Sequence, residues 1–275
     1  MTDIWARHLG TSAQLGADYW GYFAQRLANL AAIPEGAAVL DVGTSDGNVL
    51  FKAMRKAGPR GRGVGMDIWG DGLQDGLREA QKQQVENVAF AQMDAGWLGF
   101  PSETFHSVLA NFVAWAHCFD FERMEQTAPD PRLPEIWRVL KPGGQVGIGT
   151  WLRQHDLDWL VETFLRYLPE HAAAAGESLC AYAKENPEGY RAMLRASGFD
   201  DIRVCLETAT FVSPDAETWW QQMERAAGRI LGRIPDAQRL EWIREQVLAD
   251  VGQFTSSKGI QFEKTAAFVF ARKQR

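Results

Sequence analysis

Residues 39–48, which read VLDVGTSDGN, constrain the fold more than any other part of the sequence. The apolar run 39–42 is rich in β-branched residues, which indicates a buried strand. Gly43 and Gly47 allow a sharp turn after it, and Asp46 is a candidate N-cap for a following helix. Such a strand, turn and helix present unpaired backbone N–H groups to a small ligand. The pattern therefore indicates an α/β fold that binds a small molecule at this turn.

The glycine spacing of the turn separates two cofactor classes. A dinucleotide-binding turn has glycine at its first, third and sixth positions, where the backbone approaches a pyrophosphate. Counted from Gly43, the third and sixth positions hold Ser45 and Asn48. The dinucleotide pattern is therefore incomplete, and an NAD(P)-dependent oxidoreductase ranks as the alternative enzyme.

Polar residues also end the next three predicted strands. The segment GVGMDIW carries Asp67, the segment VAFAQMDA ends at Asp94 and Ala95, and the segment from Phe105 runs to Asn111. The carboxyl ends of parallel strands share one edge of a sheet, where ligands bind. A carboxylate such as Asp67 can accept hydrogen bonds from ribose hydroxyls there, each worth about 1.5–3 kcal/mol.

These features together resemble the class I S-adenosylmethionine-dependent methyltransferases that act on small molecules (methyltransferase type 11, including the ubiquinone and menaquinone C-methyltransferases). The motif Asp41-x-Gly43-x-Ser45-x-Gly47, the polar strand ends, and LKPGG at 140–144 before the apolar strand QVGIGTW carry the resemblance. It is good over residues 37–150 and holds only in outline elsewhere. Ser45 replaces the family's usual glycine, and His106 stands where the family usually has aspartate.

The resemblance implies a doubly wound, mostly parallel seven-stranded sheet of the Rossmann-like methyltransferase type, with an antiparallel last strand. It implies S-adenosyl-L-methionine as the cofactor. Asp67 would hold the ribose, Asp94 and the Ala95 N–H would hold the adenine amino group, and the end of the fourth strand would face the methionine part. The predicted cofactor-binding residues are Asp41, Gly43, Thr44, Ser45, Gly47, Asp67, Ile68, Met93, Asp94, Ala95, Asn111 and Phe112.

Methyl transfer from a sulfonium is an in-line displacement, so orientation of the acceptor can account for roughly 7–11 kcal/mol of barrier reduction. A general base is needed only when the acceptor must lose a proton. His117, beyond the fourth strand, is the predicted catalytic base because histidine titrates near neutrality. A surface or helix-capping histidine is the other interpretation, and His155 with Asp156 is a second choice for the base.

Aromatic residues near the predicted rim suggest the acceptor site. We expect Tyr19, Tyr22, Trp115 and Trp151 to bind the substrate, although core packing is the alternative for each. An indole face could stabilise the positive charge of the sulfonium by roughly 0.5–2 kcal/mol. The chain has 11 tryptophans, which favours a small apolar or aromatic acceptor.

The sequence divides into three predicted parts. Residues 1–36 form an N-terminal helical lid, residues 37–152 the cofactor-binding core, and residues 153–275 the C-terminal half of the core. A helical insertion at 214–253 precedes the last strand. Whether the insertion packs on the sheet or on a second subunit of a possible homodimer is left open by the sequence.

Composition excludes several other classes. The net charge of −6 argues against a nucleic-acid partner, because such proteins concentrate Lys and Arg. No apolar run is long enough to span a membrane, and the first residues lack a signal-peptide pattern. The 3 cysteines are an odd number without metal-ligand spacing, which predicts no metal, no disulfide and a cytoplasmic location. A methyltransferase-like protein that binds the cofactor without turnover is the third hypothesis.

Overall fold

A mixed β-sheet with helices on both faces forms the centre of the protein. The computed structural model describes residues 6–16, 18–167, 185–231 and 236–274, with side chains except in 6–15 and 225–231. Its sheet strands are β1 (Ala6–Leu15), β2 (Ala38–Val42), β3 (Arg62–Asp67), β4 (Val88–Gln92), β5 (Phe105–Asn111), β8 (Leu140–Gln154), β9 (Phe199–Ser213), β10 (Thr255–Ser256) and β11 (Gly259–Lys273), and a separate hairpin pairs β6 (Phe119–Asp120) with β7 (Glu125–Gln126).

The helices lie between these strands along the chain. They are α1 (Tyr19–Leu30), α2 (Asn48–Ala57), α3 (Gly70–Lys82), α4 (Arg132–Val139), α5 (His155–Tyr167), α6 (Pro187–Ala196), α7 (Ala216–Leu231) and α8 (Ala237–Val251). No helix within the described ranges is both long and apolar enough to cross a bilayer.

The strand order confirms the predicted fold class. Along the sheet the strands follow the order β4, β3, β2, β5, β8, β11, β9, β1. The pairs from β4 to β8 are parallel, whereas β11 is antiparallel to both β8 and β9. The direction of winding reverses between β2 and β5, which opens a crevice beyond their carboxyl ends. All seven predicted strands are present, as β2, β3, β4, β5, β8, β9 and β11.

The N-terminal segment contains a strand that the sequence analysis did not predict. Strand β1 lies at the edge of the sheet and pairs in parallel with β9, from Ala6 opposite Val204 to Leu15 opposite Phe211. The predicted lid helix follows it as α1. Its N-cap is Asp18, whose Oδ1 accepts a hydrogen bond from Gly21 N–H at 2.8 Å. Residues 1–5 of the predicted lid lie outside the described residues.

Each face of the sheet has its own hydrophobic core. Adjacent strand residues point to opposite faces, and accordingly Val108 belongs to the core beneath α4 and α6, whereas Leu109 belongs to the core beneath α1 and α2. Leu40 and Val39 divide between the same two cores. The central strands are thus covered on both sides, as parallel strands generally are.

The helical insertion packs on its own chain. Trp219, Val247 and their neighbours on α7 and α8 form a third apolar cluster with Trp159 of α5 and Phe262 of β11. The first half of β11 extends past the sheet core and carries this cluster, which places the insertion beside the carboxyl ends of the parallel strands. The predicted break between the two helices, near Pro235, lies outside the described residues.

We expect Trp219→Ala to lower the free energy of unfolding by about 3–5 kcal/mol, because it empties a buried indole site at the centre of this cluster. Trp242→Ala is the matched control, because Trp242 lies on the same insertion and is 46% exposed. Equilibrium unfolding in urea measures both values. A loss for Trp219→Ala as small as that for Trp242→Ala would show that the insertion is not part of the folded core.

Candidate active site

The turn after β2 has a backbone shaped to hold a ligand. Gly43, Ser45 and Gly47 have φ values of 69°, 49° and 83°, so alternate residues are left-handed. Such turns form concave nests in which backbone N–H groups converge. Ser45 adopts the conformation of the glycine it replaces, at a cost of roughly 1–2 kcal/mol. The predicted N-cap was wrong by one residue: Gly47 is the N-cap of α2, and Asp46 instead accepts a hydrogen bond from Asn48 N–H.

Two glycines of α3 allow that helix to approach the turn. A Cβ on Gly72 would lie 2.9 Å from the Ser45 carbonyl carbon, and one on Gly76 would lie 2.6 Å from the Phe90 ring. Sequence reasoning missed this pair, although small residues at i and i+4 on a helix share one face. The close packing fixes the outer wall of the turn.

Asp41 lies beneath the turn instead of facing the crevice. It is 1% exposed, and its Oδ2 accepts hydrogen bonds from Thr44 Oγ1 at 2.6 Å and from Leu50 N–H at 3.1 Å. Burial raises the pKa of Asp41 from 3.8 to about 7, against the lowering effect of these two donors. The predicted cofactor residues Asp41 and Thr44 therefore support the shape of the turn from below.

Asp67 occupies the end of β3 and faces the turn. Its Oδ2 accepts a hydrogen bond from Ser45 N–H at 3.0 Å, and its Oδ1 accepts one from Trp69 N–H at 3.1 Å. The side chain is half-buried, and each carboxylate oxygen retains a further lone pair. Asp67 can therefore accept two more hydrogen bonds from a diol. The adjacent Ile68 is 53% exposed beside it.

The residues after β4 extend the same rim. Met93 N–H donates to the Asp67 carbonyl oxygen at 2.9 Å, which ties the two strand ends together. Asp94 is exposed, and its Oδ1 accepts a hydrogen bond from Gly96 N–H at 2.8 Å. Ala95, between Asp94 and Gly96 in the chain, is half-buried. The predicted adenine-binding residues thus lie beside the predicted ribose-binding residue.

Asn111 ends β5 with an unsatisfied buried acceptor. Among the described residues, its Oδ1 has no hydrogen-bond donor. A buried acceptor left in this state costs about 1–3 kcal/mol. Gly149 of β8 leaves room for this oxygen, because a Cβ at that position would collide with it. The next residue, Phe112, has a φ of 58° and donates its N–H to the Gly149 carbonyl oxygen at 2.7 Å.

An aromatic wall, formed by Tyr19, Trp20, Phe112 and Trp151, stands beside Asn111. Phe112 and Trp151 stack with ring centroids 3.9 Å apart and planes inclined by 4°. Trp20 of α1 meets both rings edge-on at 5.4 and 5.7 Å and is 47% exposed. Tyr19 packs edge-on against Trp151 at 6.1 Å. The predicted substrate residues Tyr19 and Trp151 therefore meet each other, and Trp151 also stacks on the predicted cofactor residue Phe112. Tyr19 and Trp151 are each only 5% exposed and belong to the core beneath α1 and α2.

The other two predicted substrate residues lie elsewhere. The Tyr22 hydroxyl donates to a carboxylate oxygen of Glu207 on β9, so its polar end is directed at the sheet. Trp115 is fully buried, with the Arg132 guanidinium 4.7 Å from its ring centroid. Neither side chain belongs to the aromatic wall.

His117, the predicted base, is exposed beyond β5. Its Nε2 lies 3.2 Å from Arg132 Nη2, and because a guanidinium can only donate, the imidazole accepts. Arg132 is held in turn by Asp130 at 2.7 and 2.8 Å and by the Ala114 carbonyl oxygen at 3.0 Å. The lone pair that a general base would use is therefore engaged. The second choice for the base is His155 with Asp156. Asp156 is buried in an ion pair with Lys264.

Glu185 organises the loop after β5, and sequence reasoning missed it. The carboxylate is 3% exposed, and its Oε1 accepts hydrogen bonds from Trp115 N–H at 2.7 Å and Ala116 N–H at 3.0 Å. Its Oε2 accepts from the hydroxyls of Thr150 and Tyr190. Burial and this neighbouring carboxylate hold the pKa of Tyr190 well above its ordinary value. No motif surrounds Glu185, so only the fold reveals its role.

A separate apolar cavity of about 580 Å³ lies between the β6–β7 hairpin, α4 and α6. It is lined by residues such as Phe119, Leu133 and Met193, and none of the predicted cofactor or substrate residues lines it. Burial raises the pKa of the Cys118 thiol on its wall to about 12, so this thiol is a poor nucleophile. Within the described ranges, no three His, Cys, Asp or Glu side chains are arranged to hold a metal ion.

Comparison with known proteins identifies relatives of this arrangement. Residues 33–222 match the family described as a methyltransferase domain. The nocamycin O-methyltransferase of Saccharothrix syringae is 25% identical over 98% of this chain and 97% of its own length. The ubiquinone/menaquinone biosynthesis C-methyltransferase of Methylococcus capsulatus is 30% identical over 62% of this chain and 71% of its own.

One solved structure shows the same fold at low sequence identity. Phosphoethanolamine N-methyltransferase 2 of Haemonchus contortus, in complex with S-adenosyl-L-methionine, aligns with a TM-score of 0.54 at 18% identity. The alignment covers 93% of this chain and 53% of that protein.

We expect the stability of the protein to depend on the protonation of Asp41. Its folded-state pKa of about 7 exceeds the 3.8 of an exposed carboxyl, so the folded chain binds the proton more tightly and loses stability as pH rises between these values. The free energy of unfolding of Asp41→Asn, taken relative to that of wild type, should therefore rise by about 2–3 kcal/mol from about pH 5 to about pH 8. Urea unfolding at both pH values measures this, with Asp94→Asn as the exposed control. A pH-independent difference for Asp41→Asn would contradict the raised pKa.

Proposed function

Because the chain belongs to the methyltransferase domain family and is an S-adenosylmethionine-dependent methyltransferase, we propose that it methylates a small apolar or aromatic metabolite. The aromatic wall beside Asn111 carries this proposal. It combines a stacked pair, Phe112 and Trp151, with an accessible indole, Trp20. Flat apolar surfaces of this kind match an acceptor ring better than a charged acceptor.

The residues of the rim fit the cofactor chemically. Asp67 has lone pairs left for the two ribose hydroxyls, and the unpaired Oδ1 of Asn111 suits the ammonium of the methionine part. The exposed Asp94 and the Ala95 N–H suit the amino group and ring nitrogen of adenine. We assign these roles from the donors and acceptors that the described residues leave available. When bound, S-adenosylmethionine supplies a methyl group on a positively charged sulfur.

The chain's contribution to the reaction is mainly orientation. An acceptor placed against the exposed Trp20 and the half-buried Phe112, which Trp151 supports from the core, has few ways to lie, and fixed orientation can be worth roughly 7–11 kcal/mol. Indole and phenyl faces also stabilise a nearby positive charge by roughly 0.5–2 kcal/mol. Glu185 holds this surface in place, because it binds Thr150, the neighbour of Trp151, and the loop that follows Phe112.

His117 is the proposed base for an acceptor that must lose a proton. Its position beyond β5 suits an incoming acceptor. In this structure Arg132 donates to its Nε2, so the role requires the guanidinium to turn toward its other partner, Asp130. Acceptors that are already nucleophilic, such as ionised phenols or enols, need no such step.

The named relatives support the acceptor class without choosing the atom. One relative is an O-methyltransferase and the other a C-methyltransferase. Incubation with S-adenosylmethionine and panels of phenolic, quinone and amine acceptors tests the proposal, with mass spectrometry detecting the gain of one methylene. Transfer confined to amines or to acidic polar metabolites would overturn the apolar assignment. No transfer to any acceptor, with tight cofactor binding retained, would favour a binding protein without turnover.

We expect Asp67→Ala to weaken S-adenosylhomocysteine binding at least tenfold, because two ribose hydroxyls lose a charged partner worth about 1.5–3 kcal/mol per bond. Isothermal titration calorimetry measures the affinity. Asp71→Ala is the control, since Asp71 is an exposed acid in the first turn of the nearby α3. Because Asp67 also supports Ser45, thermal unfolding of both variants checks that the turn remains folded. An unchanged affinity would remove Asp67 from the site.

Trp20→Ala should raise the KM for the acceptor at least tenfold and change S-adenosylhomocysteine affinity less than twofold. The reason is that it removes the exposed edge of the aromatic wall and none of the polar groups assigned to the cofactor, although it also removes a ring contact with Phe112. Trp242→Ala removes an indole of nearly equal exposure, 46% against 47%, on α8, which is not part of the aromatic wall. Steady-state kinetics on the best acceptor compare the two. Equal kinetic effects would show that the wall does not bind the acceptor.

A further inference from the structure

A second cavity, of about 540 Å³, lies at the amino-terminal end of β5, opposite to the cofactor crevice at its carboxyl end. His106 on its wall is near the start of β5, whereas Asn111 ends the same strand. We call it the basic cavity, because Lys56, Lys141, Arg272 and His106 line it and none of its lining residues is Asp or Glu. The lining is thus locally positive, although the chain as a whole has a net charge of −6.

The fold brings Lys141 beside His106 by interrupting one strand pair. Strand β8 pairs with β5 through Leu140 opposite Phe105, and the next pair is Gln145 opposite Ser107. Residues 141–144 therefore have no partner on β5 and bulge toward the cavity. Gly143 has a φ of 75° and allows the bulge to turn. The LKPGG segment thus has a structural consequence at this edge of the sheet.

Two hydrogen-bond donors meet at this bulge. Ala38 N–H donates to His106 Nδ1 at 2.9 Å, so the proton of the neutral imidazole resides on Nε2. Lys141 Nζ lies 3.3 Å from that same Nε2. An ammonium has no lone pair, and a protonated Nε2 has none either. Neither group can accept a hydrogen bond from the other. Both donors are therefore satisfied only when an acceptor atom lies against both of them.

The other cations of the cavity are fixed in place. Lys56 Nζ donates to the carbonyl oxygens of Ala28, Asn29 and Ala31 at the end of α1. Arg272 donates to the Gly143 carbonyl oxygen at 2.9 Å and lies 3.3 Å from Asp201. Burial and the nearby Lys141 lower the pKa of His106, which keeps the ring neutral and its Nε2 a donor.

We infer that the basic cavity binds a small oxyanion of the phosphate class, with one oxygen accepting from both Lys141 Nζ and His106 Nε2. Charge-assisted hydrogen bonds of this kind are about twice as strong as neutral ones. The anion's remaining oxygens would face the positive field of Lys56 and Arg272.

Nitrogen-15 NMR of the histidine side chains in the full chain tests this inference with inorganic phosphate as the probe. The expected result is a His106 ring protonated at Nε2, whose resonance shifts saturably as phosphate is added. A parallel titration with phenyl phosphate distinguishes the source: tighter binding indicates a phosphomonoester ligand, and equal or weaker binding indicates free phosphate. A His106 resonance that does not respond to either probe overturns the inference.

Three variants locate the site. Lys141→Ala should weaken phosphate binding at least tenfold, and His106→Asp should abolish it, because a carboxylate repels the anion. Lys258→Ala, which removes an exposed lysine between β10 and β11, should leave it unchanged. Equal phosphate affinity in Lys141→Ala and Lys258→Ala overturns the inference as unspecific charge attraction. S-adenosylhomocysteine affinity, measured at the opposite edge of the sheet, should be retained in all three and reports that they fold.

Discussion

The buried carboxylate of Asp41 joins strand β2 to the turn and helix that follow it, and the cofactor crevice depends on this junction. Thr44 and Leu50 both donate to the same Asp41 oxygen, so the turn is pulled onto the strand end. With the turn in this position, Ser45 N–H reaches Asp67 on the neighbouring strand. The buried Asp41 thus sets the height of the turn above the sheet. The turn then positions Asp67, the acid that faces the ligand, through the Ser45 N–H.

A second buried carboxylate, Glu185, does the same for the acceptor side. It gathers two backbone N–H groups of the loop after β5 and two hydroxyls, from Thr150 on β8 and Tyr190 on α6. A buried polar side chain is tolerated when its lone pairs are satisfied in this way. The two sides of the crevice are therefore held by acids that do not themselves face it. The side chains left to face the ligand are half-buried or carry an unpaired acceptor, as Asn111 does.

Much of the fold could be predicted from local pattern. The apolar runs of β2, β3, β5 and β9 and the polar residues at strand ends are short-range signals, and the structure has these strands close to their predicted bounds. The predictions were weakest where a partner distant in sequence decides the outcome. Strand β1 exists because β9 offers it an edge. Tyr22 turns from the acceptor side because its hydroxyl donates a hydrogen bond to Glu207. Glu185 follows a stretch without any recognisable motif, so its four donors could not be foreseen.

The sequence by itself determined the strand order class, the family and the cofactor, because glycine and acid spacing around a turn is encoded within a few residues. Only the tertiary structure decided which predicted side chains share a surface. It brought Tyr19, Phe112 and Trp151 together and buried Trp115 beside Arg132. It also set Lys141 against His106 across a bulge. The reason is that side-chain direction depends on strand register and on the donors available from distant segments, and neither quantity is local to the sequence.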